Sequence, residues 1–136
     1  MATLHLGYFA DLASRDTILM EADVMGLREM REIFQALASG RIRRLVLHRL
    51  PFVRAHAAIE LRALCSNHDR GARRDDAGNA FLWERSSAGW RNAAEQLAQL
   101  ADAPQAGHQY LDAEQNDVAV TVSKGEYGEK WWAQHG

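Results

Sequence analysis

The chain has 136 residues, a formal charge of -2 and 47% hydrophobic side chains. These values fit one folded domain spanning residues 1–136 and exclude a disordered chain, since a domain of this size buries roughly two-thirds of its unfolded surface. The single cysteine, Cys65, excludes an intrachain disulfide, and neither a basic apolar leader nor an apolar run of bilayer-spanning length is visible. A cytoplasmic location without membrane contact is therefore expected.

Residues 3–9 have strand character, shortened or made irregular by Gly7 and the polar stretch 11–15. Residues 16–22 form a better strand, with Ile18 and Met20 on one face and Thr17, Leu19 and Glu21 on the other. From Val24, the positions Leu27, Met30, Ile33, Phe34 and Leu37 recur at helical spacing; Asp23 can cap the start and Gly40 the end. Gly26 costs this helix about 1 kcal/mol relative to alanine, less than the apolar stripe supplies by packing.

Residues 43–50 and 57–65 read as two strands around Pro51, which lacks a donor for a continuous central ladder. In the second, Ile59, Leu61, Ala63 and Cys65 share one face, and Glu60, Arg62 and Leu64 the other. A turn at 66–71 and a hairpin tip at 75–79 precede a strand at 81–85. Ser86 or Ser87 can cap a second helix to about Ala101, whose stripe is Trp90, Ala93, Ala94, Leu97 and Leu100. A strand at 109–111, a polar turn at 112–116 and a strong strand at 118–122, with Val118, Val120 and Val122 on one face, complete the elements. The sum is an α+β fold: a mostly antiparallel sheet of four to six strands with two helices packed on one face. No internal repeat is visible.

Charge is segregated along the chain. Between Arg41 and Arg74 lie nine arginines against Glu60 and Asp69, a formal +7, while residues 95–136 carry -5. If strand 43–50 is regular, Arg43 and Arg49 point one way and Arg44 the other, so the arginines form no single stripe of the kind a nucleic-acid binder presents. The reading that follows is a small protein-binding or regulatory protein, homodimeric or an inhibitor of another macromolecule. Arg73, Arg74, Tyr127, Trp131 and Trp132 are its interface candidates, because complementary fields orient association and buried aromatics anchor it.

The alternative is a small hydrolase-like or other acid–base enzyme acting on an anionic substrate. His108, Tyr110 and Asp112 share one parity of a strand and offer a base, a phenol and a carboxylate. No cofactor is expected, because neither a phosphate loop nor a dinucleotide fingerprint occurs. Cys65 and His68 lack the second pair of a zinc site, and the loop residues Asn67, Asp69, Asp75, Asp76 and Asn79 lack the spacing of a calcium loop, so no metal is expected. Whether the acidic end folds against the arginines, or leaves them facing a partner, is the question the sequence poses.

Overall fold

The computed structural model of the protein describes residues 1–12, 14–75, 78–112 and 118–136. In chain order the elements are β1 (Leu4–Leu12), β2 (Arg15–Ala22), α1 (Val24–Ser39), β3 (Arg44–Val46), β4 (Val53–Ala55), β5 (Glu60–Cys65), β6 (Gly71–Arg74), β7 (Ala80–Arg85), α2 (Ser87–Asp102), β8 (Gly107–Asp112), β9 (Ala119–Lys124) and α3 (Glu129–His135). The centre of the expected 75–79 tip and most of the expected 112–116 turn lie outside the described residues.

Both long helices begin where a side chain replaces a missing backbone partner. Asp23 Oδ1 accepts from Gly26 N at 2.6 Å, and Ser86 Oγ from Gly89 N at 3.1 Å. Gly40, at φ 81°, ends α1 in the left-handed conformation that glycine adopts without penalty. The stripe of α1 (Leu27, Met30, Phe34, Leu37) and that of α2 (Trp90, Ala93, Ala94, Leu97) close on one core with Leu4, Leu6, Ile18, Met20, Leu61, Phe81, Trp83 and Val120. Phe34, Trp83 and Trp90 meet at its centre, with ring centroids 4.7 to 5.5 Å apart.

The α+β class holds, but the sheet is not single, not mostly antiparallel, and not served by two helices only. Five strands form sheet A in the order β4-β1-β2-β9-β8, and four form sheet B in the order β3-β5-β7-β6. The pairs β1–β2, β3–β5, β6–β7 and β8–β9 are antiparallel; β1–β4, β2–β9 and β5–β7 are parallel. Alternation along a strand marks its buried face, not the direction of its neighbour, so these long-range parallel pairings leave no local trace. The expected strand 43–50 also breaks early: β3 stops at Val46 and a 3-10 turn at Leu47–Arg49 buries Leu47.

The order of elements repeats. The hairpin β1–β2 lies in sheet A, and after α1 the chain crosses to place β3 and β5 in sheet B. The hairpin β6–β7 lies in sheet B, and after α2 the chain crosses back to place β8 and β9 in sheet A. Each half thus lends its hairpin to one sheet and its later strands to the other, with β4 as an addition to the first half. Cap, close-packed glycine and stripe correspond position by position: Asp23 with Ser86, Gly26 with Gly89, Leu27 with Trp90, Phe34 with Leu97. Only a few residue types agree, which is why the sequence shows no repeat.

Candidate functional site

The outer faces of the two sheets carry the polar side chains of interest. On sheet B, the face turned away from the helices holds two transverse rows, Val46–Arg62–Leu82–Arg73 and Arg44–Leu64–Glu84–Gly71. Val46, Leu64 and Leu82 are half-buried, whereas the core-side residues Leu61, Ala63, Phe81 and Trp83 are fully buried. Glu84 organises the arginines at one edge: Ser66 Oγ donates to its Oε2 at 2.6 Å, Arg73 Nη2 to its Oε1 at 3.1 Å, and Arg70 Nε lies 3.9 Å away. The Ser66 hydroxyl, then Arg73 and Arg70, hold this carboxyl below the usual range against the cost of its burial.

The ion pairs that the basic block makes come mostly from its own neighbourhood, Glu60 and Glu84. Arg62 pairs with Glu60 at 3.1 Å, and the acidic end contributes Glu129, 3.8 Å from Arg54. Arg41, Arg43, Arg44 and Arg49 are exposed and make no ion pair among the described residues. The two arginine candidates part company. Arg73 sits on the open face of sheet B, whereas Arg74 has the opposite parity, lies 5.0 Å over the Tyr8 ring and 4.9 Å over that of Phe81, and donates to Gly78 O.

On sheet A, the face opposite the core carries one register row across all five strands: Arg54, His5, Glu21, Ser123 and His108. His5, Glu21 and Ser123, in the middle, are buried at 6%, 5% and 0% exposure, beneath the segment that follows β9. That segment grips the row at both ends. His5 Nε2 lies 2.9 Å from Glu129 Oε1, and His108 Nδ1 3.0 Å from Glu126 Oε2. Between them, Glu21 Oε1 accepts from the backbone N–H groups of Glu126 at 3.0 Å and Tyr127 at 3.1 Å.

The β1 end is a hydrogen-bonded chain. The Glu129 carboxylate can only accept, so His5 Nε2 donates to it, and on the other side of the ring His5 Nδ1 lies 2.9 Å from His56 Nε2. The Trp132 ring stacks on both imidazoles, 5.1 Å from His5 and 4.7 Å from His56. Burial, and then the neighbouring His5, lower the His56 pKa. His56 opens a β-turn closed by Ile59 N to His56 O at 3.1 Å, with Ala57 at φ 53° and Ala58 at φ 55°. Both central residues take the left-handed geometry that usually calls for Asn-Gly, so strain is held next to the histidine.

At the β8 end, Tyr110 Oη is 3.2 Å from His108 Nε2, and Ser123 Oγ donates to Glu126 Oε1 at 2.7 Å. Burial opposes ionisation of Glu126, but the Ser123 hydroxyl and His108 outweigh it and hold the carboxyl below its ordinary value. The result is a phenol and a base on the edge strand β8 of sheet A, in line with a carboxylate from the turn after β9, with Tyr110 58% exposed. The carboxylate is Glu126; the Asp112 side chain lies outside the described residues.

Of the aromatic interface candidates, Trp132 is buried while Tyr127 and Trp131 are half-buried, their rings 4.6 Å apart. All three belong to the segment over sheet A and do not share a surface row with Arg73. Missed in the sequence were His5, His56, Glu21, Glu126 and Glu129, which meet only through register and the return of the last segment. Cys65 is half-buried at the end of β5, 3.7 Å from Ser87 Oγ. No group of metal-ligating side chains occurs among the described residues, and no described helix is long and apolar enough to cross a membrane.

Glu21 is a buried carboxyl at 5% exposure. Its Oε2 is buried without a hydrogen-bond partner among the described residues. Burial raises the carboxyl above its ordinary value, and the two backbone N–H groups that reach Oε1 only partly oppose it. A raised carboxyl in the fold destabilises once pH exceeds the unfolded value near 4.5, and the cost is complete above the folded value. Glu21→Gln keeps the acceptor for Glu126 and Tyr127 and places an amide donor beside Ser123. It is expected to raise stability at pH 7 by about 1 kcal/mol and to lose that advantage on acidification, as measured by urea unfolding across pH. A variant less stable than wild type at pH 7 would show that the charge is wanted.

The chain matches no protein-family profile, no curated protein and no solved structure.

Proposed function

We propose that the protein is a small binding or regulatory protein that docks an acidic protein surface on the open face of sheet B. The observation that supports this reading is the set of half-buried side chains Val46, Leu64 and Leu82 among Arg44, Arg62 and Arg73, on a face the helices do not cover. Apolar area at the centre supplies affinity, while the surrounding cations orient a partner of opposite charge. Inhibition of the bound macromolecule, or pairing with a second copy through the acidic C-terminal region, are the forms this function takes.

The test is direct. Arg62→Glu and Arg73→Glu, combined, should weaken binding of the captured partner by at least about tenfold, with the wild-type affinity falling as salt rises. Sedimentation of the protein alone separates self-association from a foreign partner. Unchanged affinity in the double variant removes the face from consideration.

The second reading is an acid–base enzyme acting on an anionic substrate, favoured by the Tyr110–His108–Glu126 chain of hydrogen bonds. His108 is oriented by one partner and accepts from the other, the order in which a base activates a hydroxyl. This reading requires that His108→Ala abolish turnover of an activated phosphate ester while leaving the thermal midpoint in place; equal turnover in both proteins ends it.

A further inference from the structure

We propose that the groove between α1 and α2 binds a small molecule that carries an oxyanion head and, beside it, a hydrogen-bond donor. The groove has a volume of about 380 Å³ and lies on the outer side of the helix pair. That is room for a small metabolite, since ligand clefts run from roughly 300 to 1,000 Å³. Arg31 and Gln35, one helical turn apart, line it from α1; Arg91, Glu95 and Gln99, on successive turns, line it from α2. Its floor is Ala94 and Ala98, whose small side chains leave the space open.

Three observations converge. The first is that the five polar side chains make no hydrogen bond or ion pair among the described residues, although Arg91 and Glu95 have the spacing of a helical pair. The second is their chemistry: two guanidinium groups from opposite helices, flanked by two amides, provide the donors that recognise a phosphate or carboxylate, and Glu95 is the one anion placed to accept. The third is position, because the groove runs along the junction of the two repeated halves, where α1 and α2 are each other's principal neighbours. An oxyanion held between Arg31 and Arg91 would leave its attached donor facing Glu95, over the alanine floor.

The site is separate from the open face of sheet B, so the two readings fail independently. The experiment is a titration of the full chain with inorganic phosphate, acetate and O-phosphoethanolamine, followed by backbone and arginine side-chain NMR shifts. Saturable shifts at residues 31, 35, 91 and 95 are expected, with phosphate against acetate deciding the headgroup. Arg31→Gln and Arg91→Gln should each weaken binding about tenfold, the loss of one charge-assisted contact. Both arginines are exposed, so the variants should melt as wild type does. O-phosphoethanolamine should bind more tightly than phosphate, and Glu95→Gln should erase that difference. Shifts confined to the exposed arginines at 41–49, or affinity untouched by the two substitutions, would overturn the proposal, and equal affinity of the two phosphates would remove the role of Glu95.

Discussion

Trp132→Ala should lower the unfolding free energy by about 3–5 kcal/mol, seen as a lower denaturant midpoint at unchanged slope. The helix that carries it, α3, has seven residues, too few to persist without tertiary contacts. What holds it is the Trp132 ring, 2% exposed, stacked on His5 and His56 and edge-on to Phe9 at 5.6 Å. The strand beneath makes room for it: a Cβ on Gly7 would come within 2.9 Å of the Trp132 ring. Loss of the ring therefore leaves a cavity over β1 and uncovers the two imidazoles stacked on it. Because Trp132 Nε1 has no partner among the described residues, Trp132→Phe forfeits no hydrogen bond and should recover most of the loss. Trp131, half-buried against Tyr127 and His135, should cost far less on truncation. Equal losses at the two positions would mean that α3 is not anchored through Trp132.

The grip of this segment on sheet A was only partly legible. The parity that puts His108 and Tyr110 on one face is readable from alternation, and so was the possibility of a carboxylate partner. That the partner is Glu126 depends on the turn after β9, which no periodicity encodes. Glu21 and His5 read as ordinary outward positions of strands; what makes them neighbours is register across β1, β2 and β9, a long-range property. The arginine block shows the same divide. Arg73 and Arg74 are adjacent in sequence, and one side of a strand versus the other gives them a charged face and an aromatic stack respectively.

The fold divides similarly. α1, α2, β2 and β9 were readable because each couples a strong apolar period to a cap or a run of branched residues. β4 is three residues just after Pro51, β6 reads as Gly-Ala-Arg-Arg, and α3 follows Gly128, so none carries a periodic apolar signal of its own. Their structure is imposed by what they pack on. The repeat was hidden for a related reason: the two halves preserve geometry at Gly26 and Gly89 while exchanging most side chains around them.

That geometry can be tested, because Gly26→Ala and Gly89→Ala should depart from helix propensity by different amounts. Propensity alone predicts a gain of about 1 kcal/mol for either change. At Gly26 a Cβ would fall 2.3 Å from the Thr3 carbonyl oxygen and 3.0 Å from Asp23 Oδ1. The first of these is backbone, tied to the helix start by Asp23 N to Thr3 O at 3.3 Å and Thr3 N to Asp23 Oδ1 at 3.3 Å, so it can retreat only by breaking the junction of β1 with α1. A net loss of about 3 kcal/mol is expected, the upper range for overpacking. At Gly89 the obstacles are side chains, Asp69 Oδ1 at 2.5 Å and Arg85 Nε at 2.8 Å. Asp69 is half-exposed and can swing away, giving up its 3.1 Å pair with Arg85 and its bond to Ser86 N, so a loss of about 1 kcal/mol is expected. Chemical denaturation of the two variants decides the matter: a neutral or stabilising Gly26→Ala would mean that β1 does not approach α1 as closely as this. A loss at Gly89 as large as at Gly26 would mean instead that the Asp69–Arg85 pair is as fixed as backbone, making the two halves equivalent in rigidity as well as in order.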